Sequence, residues 1–195
     1  MKKFIKEQII ASIEPKKIML EEDMYIDKMQ NISNILINAF KSGNKVLICG
    51  NGGSAADAQH IVGEFVSKFR IDRASLPAIA LNTNTSIMTS IGNDYEYNFM
   101  FERQVEGLGK SGDVLIGIST SGNSKNISRA FIKAKSMGIT TIGLLGRDGG
   151  ENKEYTDISF IVPSDDTPRI QESHIMVGHI ICDIVEKTLF GDENE

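Results

Sequence analysis

The sequence predicts an α/β protein in which a parallel β-sheet carries helices on both faces. From Lys45 onward, short apolar runs alternate with segments of helical periodicity, which is the pattern of repeated strand–helix units. Two turns rich in glycine and serine each follow an apolar run and precede a helical segment. Because ligands of such folds bind at the carboxyl ends of the strands, both turns lie where a ligand site is expected.

Residues 1–42 are predicted to form helices ahead of this sheet. Ile5, Ile9 and Ile13 recur at every fourth position, and Pro15 is expected to break or restart the helix. A second helix ends at the Ser-Gly-Asn sequence of 42–44. Its apolar stripe consists of Met29, Ile32, Ile35, Leu36, Ala39 and Phe40. Such helices either cover their own sheet or join subunits, and the length of the stripe favours a contribution to an oligomer.

The remaining elements follow from the alternating pattern. Strands are predicted at Lys45–Cys49, Pro77–Leu81, Asp113–Ile118, Thr140–Leu145 and Ile158–Val162. Helices are predicted at Ser54–Phe69, Asn98–Glu106, Ser124–Met137 and Arg169–Leu189, with a further short helix within 84–92. No linker divides the chain, so we expect one domain over residues 1–195, with N-terminal helices in 1–42 and an α/β core in 43–195.

Composition narrows the class of protein. The net charge of −5 argues against a nucleic-acid partner, and no apolar run is long enough to cross a bilayer. Cys49 and Cys182 lie in apolar segments without metal-ligand spacing, so they are interpreted as reduced, buried thiols. A cytoplasmic location is therefore expected.

The first turn reads Gly-Asn-Gly-Gly-Ser at 50–54. A dinucleotide site is disfavoured because Ala55 occupies the place of the third glycine and no carboxylate ends the next strand. The chain also lacks the Gly-Lys-Ser/Thr of a P-loop. The turn is either plain strand–helix packing or a ligand turn in which Asn51 bonds hydroxyl groups and Gly52 and Gly53 admit the ligand.

The second turn is richer in hydroxyl groups, which Ser119, Thr120, Ser121 and Ser124 supply directly before a helix. A helix cap needs only one such residue. Several donors at the positive end of a helix are what a phosphate monoester requires, so this turn is predicted to bind phosphate.

Groups suited to proton or metal chemistry lie on two helices. His60 and Glu64 are four residues apart on one face, and Gln171 and His179 are eight apart on the last helix. His60 and Glu64 alone could be a surface pair. With the other two they form a possible ligand set for zinc or another divalent ion. A metal-free alternative uses Glu64 as general base and His179 as general acid, and the two interpretations are compatible.

With these motifs assembled, the sequence resembles the phosphoheptose isomerase family, which has the sugar isomerase (SIS) fold. The resemblance extends over nearly the whole chain. It rests on CGNGGSAADAQH at 49–60, Glu64, GND at 92–94, GDVLIGISTSGNS at 112–124, GRDGG at 146–150 and RIQESHI at 169–175 with His179. It implies a flavodoxin-like, three-layer core with a five-stranded parallel sheet. It also implies a homotetramer whose active sites lie near subunit interfaces.

The resemblance further implies roles for individual residues. The sugar phosphate is held by Ser119, Thr120, Ser121 and Ser124. The sugar is lined by Asn51, Gly52, Gly53, Asn93 and Asp94, and is contacted by Gln171. Glu64 and His179 are the acid/base pair. One Zn²⁺ per subunit is implied, with His60, Glu64, Gln171 and His179 as ligands. His174 and Glu172 receive no role and are interpreted as structural.

The implied reaction converts sedoheptulose 7-phosphate into D-glycero-D-manno-heptose 7-phosphate through an enediol, as the first step of nucleotide-activated heptose synthesis for lipopolysaccharide or capsule. Two alternatives remain. One is a non-catalytic relative, either a sugar-phosphate sensor or a DnaA-associating protein, which would be expected to lose the acid/base or metal residues. The other is a nicotinamide enzyme, which the first turn disfavours.

Overall fold

The computed structural model describes residues 1–191, within which five strands and seven α-helices form. The strands are β1 (Val46–Gly50), β2 (Ala78–Ala80), β3 (Val114–Ser119), β4 (Thr140–Leu145) and β5 (Ile158–Ile161). The helices are α1 (Lys2–Glu21), α2 (Asp23–Lys41), α3 (Gly53–Val66), α4 (Thr85–Asp94), α5 (Met100–Leu108), α6 (Lys125–Ser136) and α7 (Thr167–Phe190). Short 3-10 helices occupy Tyr97–Phe99 and Glu151–Tyr155. The last four residues of the single domain predicted for 1–195 lie outside the described residues.

All strand pairings are parallel, and the strand order is β2-β1-β3-β4-β5. This is the flavodoxin-like order, so the predicted fold class is confirmed. In β1, Val46 and Ile48 pack into one apolar layer, while Leu47 and Cys49 pack into the other. Both faces of the sheet are therefore covered, which explains why its strands read as continuous apolar runs.

The two helical layers have different members. Buried residues of α2, α3 and α7 pack with one face of the sheet, and those of α5 and α6 pack with the other. Helix α2 uses its predicted stripe, including Ile32, Leu36 and Phe40, to cover this chain's own sheet. By contrast, Ile5, Ile9 and Ile13 of α1 are exposed. Helix α1 thus presents exposed apolar residues in its N-terminal half.

Several predicted boundaries were wrong. Helix α1 continues through Pro15, which is buried, so packing outweighs the lost backbone hydrogen bond of a proline. Helix α3 ends at Val66, not Phe69, because the following residues turn toward α7. The 3-10 helix at Glu151–Tyr155 was not predicted. No helix among residues 1–191 combines the length and apolar composition needed to span a membrane.

Candidate active site

Helices α3 and α7 lie side by side and run in the same direction, which brings the predicted reacting groups together. Near their first turns, Gly53 packs against the amide of Gln171; two turns later, Ile61 packs against Gly178. A β-carbon at either glycine would collide with its neighbour. The two glycines therefore permit the close approach that places His179 next to His60.

His60, Glu64 and His179 form a compact cluster. Nε2 of His60 lies 3.0 Å from Oε1 of Glu64 and 2.9 Å from Nε2 of His179. One ligand atom from each residue lies within 4.8 Å of the others. The cluster is accessible, since His60 is exposed while Glu64 and His179 are half-buried. The packing of two helices thus brings His179 to the pair of His60 and Glu64, although His60 is 119 residues away in sequence.

The cluster has too few protons for ordinary hydrogen bonding if both histidines are neutral. An imidazole Nε2 carries either one proton or one lone pair, so the Nε2 atom of His60 cannot form two full hydrogen bonds. A shared cation satisfies all three atoms. Ligand atoms of a tetrahedral zinc lie about 3.3 Å apart, only a few tenths of an ångström more than the separations seen at His60. These residues can therefore hold a metal ion.

Gln171, the fourth predicted ligand, lies against a different part of α3. Its side-chain amide packs on Gly53, which is seven residues before His60 and therefore about 10 Å away along the helix axis. This position is at the carboxyl edge of the sheet, next to the glycine turn. The amide is thus placed beside the first turn, where a ligand would approach.

The hydroxyl-rich turn lies at the end of β3. Oγ of Ser119 is 3.0 Å from Oγ of Ser124, and Oγ of Ser121 accepts a hydrogen bond from the backbone N–H of Asn123. Ser124 is the N-cap residue of α6, but its hydroxyl does not cap the helix. The hydroxyl groups and the first N–H groups of α6 therefore remain available to an anion.

A second glycine turn supports the hydroxyl-rich turn from behind. Gly122 has a φ of +67°, and a β-carbon there would collide with the backbone of Gly149. The backbone N–H of Asn152 donates to the carbonyl of Gly122 at 2.8 Å. The Gly-Arg-Asp-Gly-Gly motif at 146–150 thus packs behind the turn, a role that sequence reasoning did not assign to it.

The Asn51 amide joins the two turns. It exchanges hydrogen bonds with the amide of buried Asn126, at 2.9 and 3.0 Å, and its oxygen accepts one from the Tyr97 hydroxyl at 2.7 Å. Because Gly50 pairs with Ile118, the two turns lie on adjacent strands. Sequence reasoning missed Asn126 and Tyr97, since nothing in the local sequence signals a contact across 75 residues.

Asn93 and Asp94 are the last two residues of α4, and both are exposed. The Asn93 amide donates to the Asp94 carboxylate at 2.8 Å. Within residues 1–191, no hydrogen bond links this pair to either turn. The predicted sugar-binding role of the pair is therefore not visible within a single chain.

His174 and Glu172 lie apart from the cluster. His174 is fully buried, its Nε2 lies 2.9 Å from the carbonyl of Leu145, and burial lowers its pKa to about 4. Glu172 forms ion pairs with Arg169 and Lys16, and so ties α7 to α1. Both arrangements agree with the structural roles predicted for these residues.

The sheet order, the two turns and the helix α6 N-terminus define a SIS-domain protein, and residues 16–146 match the SIS domain family. The phosphoheptose isomerase of Clostridium acetobutylicum is 67% identical to this chain. The match covers 99% of this chain and 98% of the Clostridium protein. Two solved structures of phosphoheptose isomerases are also similar. That from Neisseria gonorrhoeae is 38% identical with a TM-score of 0.89, over 95% of this chain and 98% of the other. That from Francisella tularensis is 34% identical with a TM-score of 0.91, over 95% and 97%. The chain belongs to the phosphoheptose isomerase family, which confirms the resemblance predicted from its motifs.

Proposed function

We propose that this enzyme interconverts sedoheptulose 7-phosphate and D-glycero-D-manno-heptose 7-phosphate. The observation that carries the proposal is the convergence of Glu64 and His179 on one cluster, in a chain 67% identical to a phosphoheptose isomerase. The reaction needs a base for a carbon-bound proton and a group that moves protons between oxygens. Glu64 and His179 supply these two functions.

The phosphate binds in the hydroxyl-rich turn. Its ligands are the hydroxyl groups of Ser119, Thr120, Ser121 and Ser124, together with the N–H groups of the first turn of α6. The positive end of the α6 dipole favours a dianion there without a lysine in the turn. The turn is held in place by the backbone of 146–150, so little ordering is needed on binding.

The sugar lies along the glycine turn. Gly52 and Gly53 let it approach the backbone, and the Gln171 amide is within reach at the same edge. Asn51 orients this turn through its bonds to Asn126 and Tyr97 and contributes to the sugar site. Asn93 and Asp94 complete the sugar site, and their exposure fits a site assembled near a subunit interface.

In the chemical step, Glu64 removes a proton from C1 of the ketose and an enediol forms. Protonation at C2 then gives the aldose, while His179 transfers protons between the two oxygens. Only Oε1 of Glu64 contacts His60, so the second oxygen can take the proton. A zinc ion held by His60, Glu64 and His179 would polarise the carbonyl when bound. Gln171, the fourth predicted ligand, packs on Gly53 beside the sugar site and is not part of this cluster.

The active form is a cytoplasmic homotetramer with one zinc per subunit. The exposed apolar face of α1 supplies an interface between copies. The product is the first intermediate on a route to nucleotide-activated heptose for lipopolysaccharide or capsule.

The proposal is tested by NMR of the purified protein with sedoheptulose 7-phosphate in D₂O. We expect the aldose to form with deuterium at C2, as the enediol route requires. Absence of turnover, with and without added zinc, would overturn the proposal. If the sugar phosphate still bound without turning over, the non-catalytic sensor would replace the isomerase.

A further inference from the structure

A buried carboxylate lies at the far end of the helix that carries His179. Glu186 is seven residues further along α7, on nearly the same face, and is only 1% exposed. Burial alone would raise the pKa of Glu186, but hydrogen bonds from backbone N–H groups and the nearby Arg73 charge outweigh burial and lower it. Its donors are the N–H groups of Phe69 (3.0 Å), Arg70 (2.6 Å) and Ile71 (3.0 Å) and Nε of Arg73 (3.0 Å).

Arg73, which forms the ion pair with Glu186, also hydrogen-bonds to the C-terminal end of the helix that carries Glu64. The Arg73 side chain is 2% exposed, and its Nη2 donates to the carbonyl of Glu64 at 2.8 Å. Its Nη1 donates to the carbonyl of Phe65 at 2.7 Å. These carbonyl groups belong to the last turn of α3, where no N–H group within the helix is available to donate to them. Arg73 therefore acts as a side-chain cap for α3.

The segment between α3 and Arg73 also contacts the cluster directly. The Phe69 ring lies 5.8 Å, centroid to centroid, from the imidazole of His179. The Arg70 guanidinium lies over the Phe69 ring, 5.2 Å from its centroid. Nε of Arg70 is 3.1 Å from the Asp183 carboxylate. The carboxylate of Glu186 fixes the backbone of these residues, and so fixes the ring beside His179.

A buried ion pair is a weak source of stability, because the cost of removing two charges from water offsets most of their attraction. It is, however, directional. The apolar contact of Ile61 with Gly178 tolerates small sliding movements, whereas the hydrogen bonds of Glu186 and Arg73 do not. The pair is therefore suited to holding two helices in one register.

We propose that Arg73 and Glu186 are positioning residues for the isomerase reaction, fixing α3 against α7 so that Glu64 and His60 meet His179. The inference rests on the proposed function, since it assigns the reacting groups to this cluster. Arg73 touches the backbone of Glu64, and Glu186 shares a helix with His179. Neither side chain needs to contact substrate.

The test compares Glu186→Gln and Arg73→Lys with the unchanged protein. A misplacement of about 1 Å at a reacting group costs on the order of 100-fold in rate, so kcat is expected to fall about 10- to 100-fold. KM should change less than about twofold, because the phosphate turn at 119–124 belongs to other elements. The absorption spectrum of the cobalt-substituted protein should also change, because the geometry of His60, Glu64 and His179 shifts.

Asp113→Asn is the matched control. Asp113 is also a buried carboxylate that accepts backbone N–H groups, those of Lys45 and Lys110, and pairs with the Lys45 side chain, but none of these contacts involves α3 or α7. The Asp113→Asn substitution should lower the melting temperature while leaving kcat and the cobalt spectrum unchanged.

A Glu186→Gln protein that melts earlier but keeps its kcat and cobalt spectrum would overturn the proposal. If Glu186→Gln and Arg73→Lys both fail to fold, the pair is structural and the proposal is also overturned. Phe69→Leu, which leaves the pair intact, should produce a smaller kcat loss in the same direction. The cobalt spectrum tests the positioning of His60, Glu64 and His179 even if sedoheptulose 7-phosphate is not turned over. Failure of the positioning proposal is therefore distinguishable from failure of the proposed function.

Discussion

At the scale of single residues, Glu64 has the most demanding position. One oxygen contacts His60, and the backbone carbonyl accepts a hydrogen bond from Arg73. The proposed reaction requires the same side chain to bind a cation and to remove a proton. A carboxylate can serve both purposes because its two oxygens are separate acceptors.

Replacing Glu64 by glutamine should reduce kcat by about 100- to 10,000-fold, because general-base catalysis contributes a factor of this size. Binding of sedoheptulose 7-phosphate, measured by titration calorimetry, should persist, since the phosphate turn is unchanged. Glu154→Gln, at an exposed position in the 3-10 helix of 151–155, provides the control. Near-normal turnover in Glu64→Gln would show that another group removes the proton.

Replacing Ser121 by alanine should mainly weaken substrate binding. The hydroxyl oxygen accepts a bond from Asn123, which leaves its proton available to the phosphate. A hydrogen bond to a charged group contributes about 1.5–3 kcal/mol, so KM should rise roughly 10- to 100-fold with little change in kcat. Ser136→Ala, at the other end of α6, should leave both constants unchanged. An unchanged KM in Ser121→Ala would contradict the phosphate turn.

At the scale of elements, helix α1 is buried toward its C-terminal end and carries exposed apolar residues in its N-terminal half. Pro15 and Met19 pack inward, while Phe4, Ile5 and Ile9 are exposed. A groove between these residues and α7 has a volume of about 360 Å³, and is lined by Arg169 and Glu172 as well as α1. An apolar face of this length is normally covered by a partner.

Replacing Ile9 by glutamate should therefore dissociate the proposed homotetramer, because the charge would be buried in the interface. Sedimentation or light scattering would detect a shift to smaller species. Glu7→Lys changes a charge on the opposite face of the helix and should leave the mass unchanged. If Ile9→Glu retained the full assembly, α1 would not form the interface.

Elements were also where prediction from sequence succeeded best. The five strands were found because buried parallel strands are continuous apolar runs, of which Val46–Gly50 is an example. Helix ends were predicted less well, since tertiary contacts such as those of Pro15 and Glu186 decide them. The contact of His60 with Glu64 was predicted from their four-residue spacing. The long-range partners Arg73 and Asn126 could not be predicted, because no local pattern encodes such contacts.

At the scale of the whole molecule, the buried His174 links α7 to the carbonyl of Leu145 at the end of β4. Because burial lowers the His174 pKa from 6.5 to about 4, the folded protein keeps this side chain neutral at pH values where the unfolded chain is already protonated. Its contribution to stability is complete above pH 6.5 and is lost as the pH falls toward 4.

The free energy of unfolding should consequently fall by about 3 kcal/mol over this interval from His174 alone. Denaturant titrations at several pH values would measure it. His174→Gln keeps a donor for the Leu145 carbonyl but cannot titrate, so its stability should depend less on pH between 6.5 and 4. Equal slopes for the two proteins would show that His174 is not the group responsible.

The contact between Gly122 and Gly149 has a consequence for inhibitor design. Because the backbone of the 146–150 turn lies directly against Gly122, the proposed phosphate turn at 119–124 cannot widen to admit a bulkier anionic group. A competitive inhibitor should therefore retain a compact tetrahedral dianion, such as a phosphonate, at this end. Chemical variation is better placed at the opposite end of the compound, where a hydroxamate would chelate the metal ion that we propose for His60, Glu64 and His179.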